Sequence, residues 1–144
     1  MLVTNAVGTV IALASKFTPF HADSSPQVHP IHLHGHDFWI LEQKADAKYD
    51  PMTPPKNFHD LPRRDVAMLP LNGYLLIAFQ TDNPGAWLLH CHIGWHASQG
   101  FALTFLENSD QIKSSVNADR LDANCEKWKG FAKEKKILQN DSGI

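Results

Sequence analysis

Cysteine is scarce in this chain of 144 residues: there are two, Cys91 and Cys125. They can pair with each other, serve separately or pack as small apolar groups, and at most one internal disulfide is possible. Charge of one sign is lacking as well. The formal net charge is −2, with no long basic run, so the chain has no electrostatic footprint for nucleic acid or for an anionic membrane surface. No stretch reaches the roughly 20 apolar residues of a membrane span. Internal repeats and low-complexity tracts are absent too. The first seventeen residues are apolar, with small residues at Ala12–Ala14, but no Lys or Arg precedes the apolar part and Thr4, Asn5 and Thr9 interrupt it. A strand or hairpin is expected there rather than a signal peptide.

What is present is one domain's worth of core, with a hydrophobic content of 43%, and strand signals that alternate with turn chemistry. The stretches "HPIHLHGHDFWIL" (29–41), "GYLLIAFQ" (73–80), "AWLLHCHI" (86–93) and "GFALTFLE" (100–107) are rich in β-branched and aromatic residues. Between them, "DPMTPPKNF", "LPRRD" and "TDNPGA" carry the Pro, Gly and Asn of loops. Short strands at this spacing predict an all-β sandwich or Greek-key barrel. After Asn108 the alternation is lost, and loop with short helix is expected; "EKWKGFAKEKK" (126–136) reads as a solvated helix face.

Imidazole is concentrated in two places. Four histidines fall within positions 29–36, and "HCHIGWH" at 90–96 adds three around Cys91. Side chains alternate faces along a strand, so His32, His34 and His36 are expected on one side and His29 on the other. His90 and His92 must likewise point away from Cys91, while a turn through "IGW" can bring His96 back beside it. The two motifs can therefore supply His29, Cys91 and His96 to one metal, and His32, His34, His90 and His92 to a second location. Two imidazoles and a thiolate match a blue-copper site. Zinc also takes His and Cys, but its structural sites close at four ligands and do not account for seven divided between two faces. His36 is expected to be a hydrogen-bonded neighbour, His21 and His59 to be solvated, and Trp39, Trp87 and Trp95 to be core, with Trp95 able to border a substrate pocket.

"HPIHLHGHDF" with "HCHIGWHASQGF" resembles the third, C-terminal cupredoxin domain of multicopper oxidases, and "RRDVAMLPLNGYLLIAFQTDNPGAWLLHCHIGWH" is similar to the laccases of filamentous ascomycete fungi. The resemblance runs from about Val28 to Glu107 and resumes in the tail. It implies a cupredoxin-like Greek-key sandwich over residues 28–108, preceded by a poorly matched segment 1–27 and followed by a tail 109–144. It further implies type 1 copper on His29, Cys91 and His96. A trinuclear type 2/type 3 cluster would rest on His32, His34, His90 and His92, with His32 on the type 2 ion. In that family a phenol or other small reducing substrate gives electrons to type 1 copper, and Cys91 passes them through its backbone to His90 and His92. O2 is reduced to water at the cluster, with four coppers in the complete enzyme.

Phe101 stands where many blue-copper proteins carry a weak axial methionine and ascomycete laccases usually carry leucine; a phenylalanine cannot ligate. The tail "DSGI" is similar to a C-terminal plug of those laccases, and Cys125 resembles a cysteine that there bridges to the first domain. Both imply a secreted setting. The first domain's two His-X-His pairs are not found in this chain, so a C-terminal piece of a longer enzyme, relying on the missing N-terminal cupredoxin domains, is expected. The competing readings are a small blue-copper electron carrier and an inactive copper-binding remnant.

Overall fold

The computed structural model describes residues 2–4, 9–14, 27–56 and 58–137. Among the described residues, nine strands form two sheets. One sheet contains β1 (Leu2–Thr4), β3 (His29–Leu33), β6 (Val66–Leu69), β8 (Gly85–Cys91) and β9 (Ala102–Glu107), in the spatial order β1-β9-β8-β3-β6. The other contains β2 (Thr9–Ala14), β4 (Phe38–Lys44), β5 (Arg63–Arg64) and β7 (Tyr74–Phe79), in the order β2-β7-β4-β5. Every pairing is antiparallel except β1 with β9. The chain switches sheets between β3 and β4 and again on either side of β7, so the core lies between the two sheets. Ile31, Leu33, Leu89, Cys91 and Phe105 from the first sheet meet Phe38, Leu75, Ile77 and Phe79 from the second. The expected all-β sandwich forms because alternating strands such as β3 can bury Ile31 and Leu33 while turning His32 outward.

Two expectations are corrected. Both N-terminal strands exist, but β1 pairs with β9 and β2 with β7, in different sheets, so they are not a hairpin. The run "HPIHLHGHDFWIL" is not one strand either: β3 ends at Leu33, and Gly35 turns the chain at φ 73 before β4 begins at Phe38. Glycine is required at this turn for a second reason. A Cβ at Gly35 would lie 2.5 Å from the Trp87 ring.

Past β9 the chain forms α2 (Ser109–Ser115) and α3 (Ala118–Lys135). Asn117 caps α3 by accepting the backbone N–H of Arg120 at 2.9 Å. At 18 residues α3 is longer than the sequence texture suggested, and it carries Leu121, Trp128 and Phe131 exposed.

Candidate metal centre

β3 and β8 are neighbours in register, with Ile31 opposite Cys91 and His32 opposite His90. This register sorts the histidines. Residues in phase with Ile31 face the core, which puts His29 on the side of Cys91, and residues in phase with His32 face away. A short helix, α1 (Gly94–Ser98), follows β8 and carries His96 back over the end of the strand, where it is buried. The three side chains converge. Nδ1 of His96 lies 3.3 Å from Sγ of Cys91 and 3.2 Å from Nδ1 of His29, and Nδ1 of His29 lies 3.8 Å from the sulfur.

These separations suit a metal. An ion at about 2.0–2.3 Å from each donor requires donor atoms roughly 3.3–3.8 Å apart in tetrahedral or trigonal geometry. The protonation states suit one as well. Burial first, and the neighbouring His96 second, hold His29 below the ordinary imidazole range, so it is disposed to the neutral form that ligates. Burial pushes the Cys91 thiol up, partly offset by the backbone N–H of Ile93. Without a cation the sulfur keeps its proton, and a metal must displace that proton to bind. Cys91 itself is fully buried.

On the opposite face the imidazoles of His32, His34, His90 and His92 form a looser group. Ring centroids are 4.8 Å apart for His32 and His34, 5.1 Å for His34 and His90, and 5.6 Å for both His32–His92 and His90–His92. Two of the rings are oriented from behind. Nδ1–H of His32 donates to the Asp65 carbonyl at 2.9 Å and Nδ1–H of His90 to the Cys91 carbonyl at 2.9 Å, which leaves each Nε2 as a lone pair. Nε2 of His90 then meets Nε2 of His34 at 3.0 Å, a contact that needs a shared proton or a cation. Burial, then the charges of His32, His90 and His92, hold His34 below its ordinary value. His34 and His92 are exposed, and an open cavity of about 440 Å³ lies beside His32, lined among others by Gly35, Trp39, Arg63 and Asp65. Among the described residues, His29, Cys91 and His96 are the one set of three His, Cys, Asp or Glu donors whose atoms all fall within 4.8 Å of one another.

Other sequence-predicted residues are placed differently. His36 does not share the face of His32 and His34, because the turn at Gly35 rotates it inward, where its side chain is 4% exposed against Glu107. Trp95 is exposed rather than core, stacked edge-on against His96 with ring centroids 3.8 Å apart. Phe101 is 37% exposed; its ring centroid lies 5.0 Å from that of His29 and 6.3 Å from that of His96. Trp39 and Trp87 are half-buried, His59 is exposed, and Cys125 is exposed on α3. His21 and the "DSGI" tail lie outside the described residues. Sequence reasoning missed Asp65, Asn83 and Glu107. The last had a signal: Glu107 is in phase with buried Phe105, and a carboxylate at an inward position calls for a buried partner.

Comparison with known proteins agrees with this geometry. A family model described as multicopper oxidase matches residues 16–111. The chain is similar to laccase-2 of Botryotinia fuckeliana, with 48% identity over 119 residues that span 81% of this chain and 20% of that protein. It is also similar to the dihydrogeodin oxidase of Aspergillus terreus, at 46% over 128 residues, 83% of this chain and 21% of that one. Among solved structures, the laccase from Botrytis aclada superposes with a TM-score of 0.79 and 40% identity, over 99% of this chain and 26% of its own. The sandwich is thus cupredoxin-like, and the chain spans about a fifth to a quarter of the length of the relatives it matches.

Proposed function

This chain belongs to the multicopper oxidase family, and from that we propose that it is the C-terminal cupredoxin domain of a laccase-type oxidase, spanning residues 28–108 with 109–144 as its tail. In this reading His29, Cys91 and His96 hold type 1 copper, and His32, His34, His90 and His92 supply half of a trinuclear cluster completed by an N-terminal domain. The observation that supports the reading is the register of β3 against β8, which sets Ile31 opposite Cys91 and His32 opposite His90, together with the convergence of His29, Cys91 and His96 on the core side.

Bound copper would supply one-electron oxidation of a phenolic or similar donor at the first site and four-electron reduction of O2 to water at the second. The residues of this chain supply the rest. Trp95 and Phe101 are exposed apolar side chains adjoining the His29–His96 edge of the triad, a surface on which an aromatic donor can rest. Cys91 joins the two faces directly, since its neighbours in the chain are His90 and His92 and its carbonyl holds the His90 ring. The carbonyl of Asp65 holds the His32 ring in the matching tautomer. The donor is a small reducing molecule and the setting is secreted and oxidising; a carrier that only shuttled electrons would leave four imidazoles without work.

The test is to load the purified chain with copper, count metal per chain, record the visible spectrum and follow oxygen uptake with a phenolic donor. One firmly held copper per chain, an intense visible band and no reduction of O2 to water are expected, because a cluster with half its imidazoles is open to solvent and weakly held. Four-electron turnover by the monomeric chain overturns the shared cluster. Absence of the band overturns the assignment of the triad.

A further inference from the structure

One buried ion pair is left without work by the copper assignments. Nε2 of His36 lies 2.9 Å from Oε2 of Glu107, with the two side chains 4% and 0% exposed. The two atoms are in close contact without the alignment of a hydrogen bond. The remaining oxygen, Oε1 of Glu107, accepts the backbone N–H of Asn83 at 2.7 Å. Asn83 extends the network in two directions: its side-chain amide donates to the Gly35 carbonyl at 3.0 Å, and its own carbonyl accepts the Trp87 indole N–H at 2.7 Å. The Trp87 ring fills the space that a Cβ on Gly35 or Gly85 would occupy, and His36 stands edge-on to it with ring centroids 5.9 Å apart.

Buried ion pairs contribute little net stability, since desolvation offsets most of the attraction. Geometry gives this one a more specific use. Gly35 and His36 are the two residues that follow His34, and both are anchored to the frame of β8 and β9, Gly35 by Asn83 and His36 by Glu107. β8 also carries His90. The His34 backbone N–H is tied to the same strand by the Leu88 carbonyl at 2.8 Å. By contrast, among the described residues the exposed His34 ring makes its close polar contact with His90.

We propose that the His36–Glu107 pair, with Asn83, is the positioning element that sets His34 against His90. Its consequence for copper rests on the reading of the four imidazoles given above, but the placement itself is measurable without metal. In the metal-free chain, imidazole NMR resonances of His34 and His90 report their contact, while those of His29 and His96 serve as an internal control. His36→Phe keeps an aromatic ring against Phe79 and Trp87 but removes the tie. It should shift the His34 and His90 resonances and leave those of His29 and His96 in place. Glu107→Gln keeps the size and the acceptor for the Asn83 N–H but removes the carboxylate that faces His36, and should shift the same two resonances by less than His36→Phe does. If His36→Phe does not fold, Asn83→Ala, which cuts the tie to Gly35 alone, should produce the same displacement. On titration with copper, these disruptive variants should bind metal at the four imidazoles about 10–100-fold more weakly, with the visible band of the triad unchanged. Unmoved His34 and His90 resonances in a folded variant, or equal shifts at all four histidines, overturn the proposal. If the native chain binds no copper at the four imidazoles, the copper reading of that group falls while the metal-free result still decides the positioning role.

Discussion

Two groups of histidine sit on the same pair of strands, one residue apart, and differ in almost every physical respect. His29, Cys91 and His96 converge on the core side, and their donor atoms lie at ligand spacing before any metal arrives. His32, His34, His90 and His92 face outward, two of them exposed, with ring centroids up to 5.7 Å apart. The contrast shows what one domain can finish by itself. A site built between the sheets inherits its geometry from core packing, because Ile31, Leu89 and Phe105 fix the strands that carry it. A site on the outer face is oriented by backbone carbonyls, the Gly35 turn and the contacts of His36, Glu107 and Asn83 behind it, and in the proposed reading it awaits more ligands.

The largest effect that would break this comparison is at the sulfur. Cys91→Ser should abolish the intense visible absorption of the copper-loaded chain entirely, since the thiolate is its source, while copper bound at the outer imidazoles should persist. Absorption spectra and metal counts on the same samples separate the two. A blue protein without Cys91 would mean that the buried triad is not the copper thiolate site.

Next in size is the turn. Gly35→Ala must place a methyl within 2.5 Å of the Trp87 ring at φ 73. Overpacking and the left-handed backbone together predict a loss of about 2–4 kcal/mol, or a melting midpoint of the metal-free chain lower by roughly 5–15 °C. Well below that midpoint the damage should fall on the outer group, beside the turn, and spare the triad. A variant whose triad loses its visible band as readily as the outer face loses copper would show that the two regions are not independent.

A subtler change tests the triad's surroundings. Phe101 offers no donor atom, and its ring adjoins His29. Phe101→Met should bring a weak sulfur ligand that favours oxidised copper, so redox titration of the visible band should give a lower potential. An unchanged or higher potential would mean that residue 101 does not face the metal.

Much of this arrangement was legible in the sequence. Period-two alternation placed the strands, and the parity of His29 against His32, with Cys91 between His90 and His92, separated the side chains onto the two faces that the register of β3 and β8 gives them. Parity failed at His36 because it assumes a continuous strand, and the assumption ended at Gly35, where a positive φ reset the direction of every later side chain. Trp95, expected to be core, was misjudged for a different reason: hydrophobicity predicts burial on average, but an apolar side chain can stand exposed at the edge of a site near the surface. The network of Asn83, Glu107 and His36 could not be read from spacing, since it joins residues from three separated segments and runs partly through backbone groups.

The smallest expected effect comes from the second sheet, which carries no metal ligand in this reading and serves as the control. Glu42 on β4 accepts the Tyr74 hydroxyl from β7 at 2.6 Å and pairs with Lys44. The Lys44 ammonium first, and the Tyr74 hydroxyl second, hold the Glu42 carboxyl below its ordinary value of 4.5. A carboxyl whose folded-state value is depressed contributes stability that is present above the ordinary carboxylate range and is lost as pH falls through the depressed value, because there the unfolded chain binds the proton first. At pH 7, Glu42→Gln should therefore cost about 1 kcal/mol or less, the net worth of one such hydrogen bond partly exposed to water. The difference from the native chain should shrink as the pH is lowered below the ordinary carboxylate value. Denaturant unfolding of both proteins across pH 3 to 7 measures the convergence; a gap that stays constant or widens toward acid would mean that the charged form of Glu42 is not what the fold favours. The visible copper band should be the same in both proteins at pH 7, and a changed band would show that the second sheet reaches the metals after all.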